Sequence, residues 1–294
     1  MSLKLRVLFN PASGRGRGAR VIGGIREAFA RYGFTDVRGT ERAGDEARLV
    51  REALDDGIDT IVVAGGDGTW SKCAVPLARA GSPARMALLA AGTGNDFAKN
   101  LGLDPRDPAA LAKRLADGDV RERRVDMGRI DDHWFLNVAG FGFDAAVLEA
   151  TQRSTLLRGP ALYVGAALRE IFAYDGIEVR IDGAAARRYL LTVFSNGEYF
   201  GGTFRIAPDA RIDDAQLDAI LIDDVAKLQR PLLLARAISG SHVRGPHCTH
   251  RRFADMRLEF AAAPLCEIDG ELVRTASAQV QVASVPAALR VVDR

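Results

Sequence analysis

The stretch Val62-Val63-Ala64-Gly65-Gly66-Asp67-Gly68-Thr69-Trp70 constrains the fold most, because an apolar run stops there on glycines and an aspartate before helical periodicity begins. Ile61, Val62 and Val63 are β-branched, as a strand buried on both faces requires, and Thr69 is placed to cap a helix over residues 70–79. Glycines between a strand end and a helix start let backbone N–H groups approach an anion with no Cβ in the way, and the helix N-terminus adds partial positive charge. Phosphate is the guest this suits. The dipole contributes only about 0.3–1 kcal/mol per charge, so one such loop cannot hold a nucleotide and partners must lie elsewhere in the chain.

Two further loops of this kind occur. Residues 3–9 read as a strand running into Asn10-Pro11-Ala12-Ser13-Gly14-Arg15-Gly16, and residues 86–90 as a strand running into Gly92-Thr93-Gly94-Asn95-Asp96. Helices are predicted over 19–31, 45–55, 97–101 and 107–116, with a strand over 36–40 and another over 60–64. Strand and helix alternate at lengths that argue for a parallel α/β sheet, in which ligands bind outside the carboxyl ends of the strands. All three loops, after Phe9, Ala64 and Ala90, should emerge on that edge.

The texture changes around Arg121–Asp126, and the domain boundary is placed there: residues 1–126 as the α/β domain, with 288–294 returning to it, and 127–287 as a second domain. Short β-rich runs over 134–139, 176–181, 189–195, 217–222, 256–260 and 279–282 predict an antiparallel sandwich, interrupted by helices over 160–173 and 225–239. At 294 residues and 48% hydrophobic, the chain has apolar material for two domains. A net charge of +2 with dispersed arginines gives no case for nucleic acid. Cys73, Cys248 and Cys266 fit no paired framework, and no apolar run is long enough for a transmembrane segment, so a cytoplasmic protein with at most peripheral membrane contact is expected.

Each candidate motif has an ordinary reading beside its functional one. Gly14, Gly16 and Ala19, with Asp36 downstream, match a dinucleotide fingerprint weakly and an arginine-bearing helix boundary equally well; no Walker sequence occurs. Asp67 and Asp96 are both able to cap helices, but two carboxylates beside phosphate-facing N–H groups would repel the ligand unless Mg²⁺ intervenes, so a metal nucleotide is implied. Asp269-Gly270-Glu271, if extended, projects both carboxylates from one face for proton abstraction, whereas Asp-Gly is also a common hairpin turn. His242, His247, Cys248 and His250 fit no familiar zinc spacing and read equally as loop and strand residues. The helix at 160–173 carries Leu162, Tyr163, Ala166, Ala167, Ile171 and Phe172, which suits core packing or a cleft for an acyl chain.

These motifs, in this order, together with Gly201-Gly202 and Pro208-Asp209-Ala210, resemble the diacylglycerol kinase type of lipid kinase, in the bacterial soluble form related to sphingosine kinases and NAD kinases. The likeness covers nearly the whole chain. It implies an N-terminal α/β nucleotide domain like that of NAD kinases and phosphofructokinases, a C-terminal β-rich domain, and an ATP site between them. On the matching positions it implies that Asn10, Pro11, Ala12, Ser13, Gly14, Thr40, Gly65, Gly66, Asp67, Gly68, Thr69 and Thr93 hold ATP. Asp269 would be the general base, and Asp67, Asp96, Asp126 and Glu271 would belong to the magnesium and water network. A structural magnesium site would use the Asp214 carboxylate with the carbonyls of Arg211 and Gln216. The chain departs from the family at Lys72, at Ala215, where glycine is usual, and at Ala90-Ala91 before the second loop.

The expected activity is ATP- and Mg²⁺-dependent phosphorylation of a lipid hydroxyl, first of all that of diacylglycerol, at a membrane surface. Another lipid alcohol such as a sphingoid base or phosphatidylglycerol, NAD as acceptor, and a non-catalytic sensor are the alternatives. Whether the chain is a monomer or a homodimer cannot be read from sequence.

Overall fold

The computed structural model describes residues 3–92, 94–153 and 160–293. The chain divides into two compact units, residues 1–126 with 286–294, and residues 127–285.

The first unit runs β1 (Leu5–Phe9), α1 (Ser13–Ala30), β2 (Val37–Gly39), α2 (Asp45–Asp55), β3 (Thr60–Gly65), α3 (Asp67–Arg79), β4 (Arg85–Ala90), α4 (Asp96–Asn100), α5 (Pro108–Asp117) and the first part of β5 (Arg121–Ile130). β2, β1, β3 and β4 lie side by side and parallel, with Val7 opposite both Val37 and Val62, and Ile61 opposite Met86. Every residue of β3 is buried, so its unbroken apolar run follows from being the middle strand of a covered sheet. One apolar face packs Val7, Val62 and Leu89 against Ile25 and Phe29 of α1 and Ala112 and Leu115 of α5.

Two helix starts differ from the sequence expectation. α1 begins at Ser13, six residues before the predicted start, and takes in Gly14, Gly16 and Gly18. α3 is capped by Gly66 in extended conformation, not by Thr69, which is the third residue of the helix and packs its side chain on Gly65.

The second unit continues through β6 (His133–Phe135), β7 (Val138–Gly142), α6 (Phe143–Arg153), α7 (Pro160–Ala173), β8 (Ile177–Ile181), β9 (Arg187–Ser195), β10 (Leu217–Asp223), α8 (Arg230–Ser239), β11 (Cys248–Phe253), β12 (Asp255–Glu259), β13 (Leu265–Ile268), β14 (Glu271–Arg274) and β15 (Gln279–Asp293), whose last residues return to the first unit and pair in parallel with β4 through Val291 and Met86. It is an antiparallel sandwich. One sheet runs β14, β13, β7, β9, β10, β11, and β8 leads from β9 to β12 and β15. Strand alternation splits the central sheet into two apolar faces. Phe141, Phe194, Ala219 and Leu221 point into the sandwich core with Met256 and Val282, while Val138, Leu190, Ile220 and Ile222 face α6, α7 and α8. The predicted helix at 225–239 starts only at Arg230, with Pro231 in its first turn. A strand, β5, occupies the segment read as a boundary.

Candidate active site

In the first unit the three glycine loops touch one another directly through their backbones. Ala91 and Gly92 donate their N–H groups to the Gly65 carbonyl at 2.6 and 3.1 Å, and Asn10 donates to Ala64 at 3.2 Å. A Cβ on Gly66 would lie 2.9 Å from the Gly92 Cα, and one on Gly14, where φ is +55°, would lie 2.0 Å from the Ala91 carbonyl oxygen. Glycine is therefore demanded by contact between loops as well as by approach of a ligand. Asn10 shapes the first loop: its Oδ1 accepts from the Ala12 N–H at 2.9 Å and its carbonyl accepts from the Ser13 hydroxyl at 2.8 Å. Thr40 joins this edge through its N–H to the Phe9 carbonyl at 3.0 Å.

Asp67 opens α3 and its Oδ1 accepts the Phe97 N–H at 3.0 Å, tying the second loop to the third. Trp70 fastens the same helix to its strand by donating Nε1–H to the Val63 carbonyl at 3.1 Å. The first N–H groups of a helix have no partner within it, so α3 presents donors beside Gly66 and Gly68. Asp96 is buried and pairs with the Lys99 Nζ at 2.8 Å. Asp126 is buried and accepts the Ala287 N–H at 2.7 Å. Thr93 lies outside the described residues.

Sequence reasoning missed three supports of this edge. Gly18 is needed because a Cβ there would sit 2.1 Å from the Asn10 carbonyl oxygen. Arg17 donates to the Gly92 carbonyl at 3.3 Å, and buried Glu46 accepts from the Asn10 side chain at 3.2 Å. A glycine inside a helix reads as a weak helix residue, and only the fold reveals what crosses it. Asp36 does not read a ribose: Arg6 and Arg38 both hold it at 2.7 Å.

In the second unit, Asp269 and Gly270 form the two-residue turn between β13 and β14, with φ of +46° and +88°. The extended arrangement on which one reading of Asp269 and Glu271 depended is thus replaced by a hairpin that joins them. The turn nonetheless presents a built carboxylate. Asp269 accepts N–H groups from Leu136 at 2.6 Å, Asn137 at 3.0 Å and Val138 at 3.1 Å, and buried Asn196 fixes that segment by donating to the Leu136 carbonyl at 2.8 Å.

Beneath the turn, two acids share one sheet face. Gly140 is opposite Glu267 across β7 and β13, and a Cβ on Gly140 would fall 2.0 Å from Asp144 Oδ2, so the Asp144 carboxyl occupies the space beside Glu267. Both are buried, and each keeps one oxygen without a hydrogen-bond partner. The other Glu267 oxygen accepts the Gly270 N–H of the turn. Burial pushes Asp144 up to about 7, and burial with the Asp144 charge beside it raises Glu267 well above the carboxylate range.

Asp144 also lines an apolar cleft with Phe143, Ile171, Leu190, Phe204 and Leu233, with a cavity volume of about 70 Å³. Ala167 and Ile171 of α7 line it, whereas Leu168 and Phe172 of the same helix are exposed, so α7 is not wholly a core helix; the Leu162 and Tyr163 side chains lie outside the described residues. In the loop before β10, the Asp214 Oδ1 accepts the Gln216 N–H at 3.1 Å and Ala215 has φ of +63°, while Arg211 is exposed. His242 bonds the Ile206 carbonyl at 3.0 Å and His250 bonds Asp218 at 2.5 Å; among the described residues no three His, Cys, Asp or Glu side chains gather as a metal cluster.

Comparison with known proteins accords with both units. Residues 4–130 match the diacylglycerol kinase catalytic domain, and residues 137–293 match the YegS C-terminal NAD kinase beta sandwich-like domain. The chain is 30% identical over 301 residues to a diacylglycerol kinase of Mycobacterium tuberculosis (strain ATCC 25618 / H37Rv), covering 98% of this chain and 94% of the relative. It is 24% identical over 273 residues to the diacylglycerol kinase of Bacillus subtilis (strain 168), covering 91% and 89%. A solved diacylglycerol kinase of Bacillus anthracis str. Sterne shares the fold, with a TM-score of 0.72 at 21% identity over 99% of this chain and 97% of that one. A match of this extent to both domains, over the glycine loops and the β13–β14 turn alike, makes the chain a member of the diacylglycerol kinase family of lipid kinases.

Proposed function

We propose that the protein transfers the γ-phosphoryl group of ATP to the hydroxyl of diacylglycerol, giving phosphatidic acid. The observation that carries this reading is the apolar cleft beside α7 and α8, lined almost wholly by hydrophobic side chains as an acyl chain requires, in a chain whose other unit carries a glycine cradle for phosphate. An apolar cleft favours a lipid acceptor over NAD, whose riboses and pyrophosphate need polar partners.

The chain's own groups divide the work. The N–H groups of the loops at Asn10–Gly14 and Gly65–Thr69, with the N-terminus of α3, bind the phosphates, and Thr40 and Thr93 complete the nucleotide contacts. Asp67 and Asp96 stand on the loops where phosphate would lie, a donor set of the kind magnesium uses beside phosphate oxygens. Asp126 would serve the same ion through water. Magnesium, when bound, supplies charge neutralisation to the phosphate oxygens. Asp269 accepts the proton of the attacking hydroxyl, oriented by the three N–H groups of Leu136, Asn137 and Val138. The turn at Arg211, Asp214 and Gln216 offers one carboxylate and backbone carbonyls to a second, structural magnesium.

The test is a labelled-ATP assay with Mg²⁺ against a total lipid extract, purified diacylglycerol and NAD, with products identified by mass. Phosphatidic acid is the expected product, and Asp269→Asn should lower turnover by about a hundredfold or more while ATP still binds. Phosphorylation of NAD instead, or of no lipid by a protein that binds ATP, would overturn the proposal.

A further inference from the structure

The Asp269–Gly270 hairpin is closed by Ile268 opposite Glu271, so the N–H groups of its two turn residues fall outside the β13–β14 ladder. Each is nonetheless taken. Asp269 donates its N–H to the Val138 carbonyl at 3.0 Å, and Gly270 donates to Glu267 Oε1. The turn is therefore held from one side by the backbone of β7 and from the other by the side chain of Glu267. It needs both anchors, because Asp269 stands at φ of +46°, where a residue with a Cβ is strained.

What holds Glu267 is Asp144. Strand alternation puts Gly140 and Glu267 on the sheet face that packs against α6, and Asp144 lies in the first turn of that helix. Asp144 Oδ1 takes the Ala145 N–H at 2.7 Å, and Oδ2 fills the space left open by Gly140. Asp144 Oδ2 and Glu267 Oε2 are then left over, on neighbouring side chains only 6% and 3% exposed, and neither oxygen has a hydrogen-bond partner. Two ionised carboxylates so placed would repel one another out of reach of water, whereas one proton between them satisfies both oxygens. Burial pushes Asp144 up to about 7, while burial and the Asp144 charge raise Glu267 well above the carboxylate range, so Asp144 gives up its proton first and Glu267 keeps one.

Cations near the pair are engaged elsewhere. Arg230 of α8 lines the cleft with Asp144, but its guanidinium is taken up by Asp224 and by the carbonyls of Ile171 and Tyr174. Arg274 of β14, two positions beyond the Leu272 that faces Glu267, is exposed and donates to the Ala263 carbonyl at 3.0 Å. Burial pushes the Cys266 thiol and the Tyr174 phenol up, so both stay neutral, and the Asp269 charge further favours the proton on Glu267.

We propose that Glu267 is a protonated acid whose Oε2–H donates to the Asp144 carboxylate, and that this buried acid–acid hydrogen bond seats the Asp269 turn through Gly270. Both acids are then positioning residues: Asp144 fixes Glu267, and Glu267 fixes the backbone from which Asp269 reaches the acceptor hydroxyl. Glu267 accepts with one oxygen and donates with the other, which is the pattern a glutamine amide presents. The inference rests on the reading of Asp269 as general base of the lipid kinase reaction.

The test uses the full-length protein, Glu267→Gln and Glu267→Ala, at about pH 8, above the range in which Asp144 loses its proton. Infrared spectra in heavy water are compared first: wild type should show the band of a buried protonated carboxyl, and Glu267→Gln should lack it. Turnover is then measured on diacylglycerol in detergent micelles. Glutamine reproduces both hydrogen bonds, so Glu267→Gln should keep kcat within about threefold of wild type. Alanine releases the turn, so Glu267→Ala should lower kcat about tenfold or more while the KM for ATP is unchanged. A wild type without the carboxyl band, or a band that persists in Glu267→Gln, overturns the shared proton. A Glu267→Ala protein that is folded by its urea midpoint and keeps the wild-type kcat overturns the seating of the turn. If Glu267→Ala does not fold, a Glu267→Gln protein that is folded but has lost turnover overturns it in its place. A wild type that phosphorylates no lipid overturns the kinase reading instead, and the band then decides the shared proton by itself.

Discussion

Replacing Asp144 by asparagine tests whether the buried acid pair under the Asp269 turn sets the pH dependence of the second unit. Burial carries the Asp144 carboxyl from 3.8 to about 7. At about 1.4 kcal/mol per pH step, those roughly three steps correspond to about 4 kcal/mol. The sign follows from proton binding. Between the two values the folded state holds a proton that the unfolded chain has lost, so stability is fullest below 3.8, falls as pH climbs, and levels off above about 7. Glu267 is raised by burial and by the Asp144 charge, which steepens the same fall.

The measurable window is pH 5 to 8, where Asp144 accounts for about 3 kcal/mol. With a urea slope of roughly 1–3 kcal/mol per molar, the midpoint should drop by about 1 M or more across it. The chain has two tryptophans, Trp70 in the first unit and Trp134 in the second, so a Trp70→Phe background makes fluorescence report on the second unit. Asp144→Asn in that background should flatten the midpoint against pH, both by removing one titrating group and by relieving Glu267 of its neighbour. Parallel profiles with and without the substitution would refute the reasoning, whatever the change in absolute stability.

Gly66→Ala places a Cβ 2.9 Å from the Gly92 Cα, a backbone atom that cannot rotate away; displacement of the loops should raise the KM for ATP by about tenfold or more in steady-state kinetics, and an unchanged KM would count against the cradle. Ala215→Gly relieves a φ of +63° and should stabilise the second unit by about 0.5–1 kcal/mol, net of the greater freedom of glycine when unfolded, read as a higher urea midpoint. Arg230→Met removes the guanidinium shared by Ile171, Tyr174 and Asp224; the stranded carboxylate and carbonyls should cost about 3–5 kcal/mol, read through Trp134.

The alternation of strand and helix in the first unit and the three loops after Phe9, Ala64 and Ala90 were legible in sequence because the determinants are local. A β-branched run ends where its strand ends, and glycine marks the place where a Cβ would not fit. The start of α1 was not legible for the same reason inverted: Gly14, Gly16 and Gly18 are poor helix formers, yet the helix runs through them because Gly18 lies against the Asn10 carbonyl and Gly14 against Ala91. Tertiary contact decides against propensity there, and the chain near residue 91 is far from residue 14 in sequence.

The second unit sharpens this into a distinction between roles a residue type announces and roles it acquires from register. Asp-Gly announces a hairpin, and the β13–β14 turn is one; what makes Asp269 more than a turn residue is the arrival of three N–H groups from Leu136, Asn137 and Val138, over a hundred residues earlier. Asp144 and Glu267 announce nothing, since each is an acid in a mixed run. Their pairing exists because β7 sits beside β13 with Gly140 opposite Glu267, and because Gly140 has no side chain the Asp144 carboxyl can take its place. A single added methyl at Gly140 would evict that carboxyl from the sheet face, so the glycine that looks like an ordinary strand residue is the one that permits the acid pair. Buried polar groups of this kind are invisible to periodicity, which counts apolar positions, and they are where the fold and the chemistry beneath the Asp269 turn depend on the same few atoms.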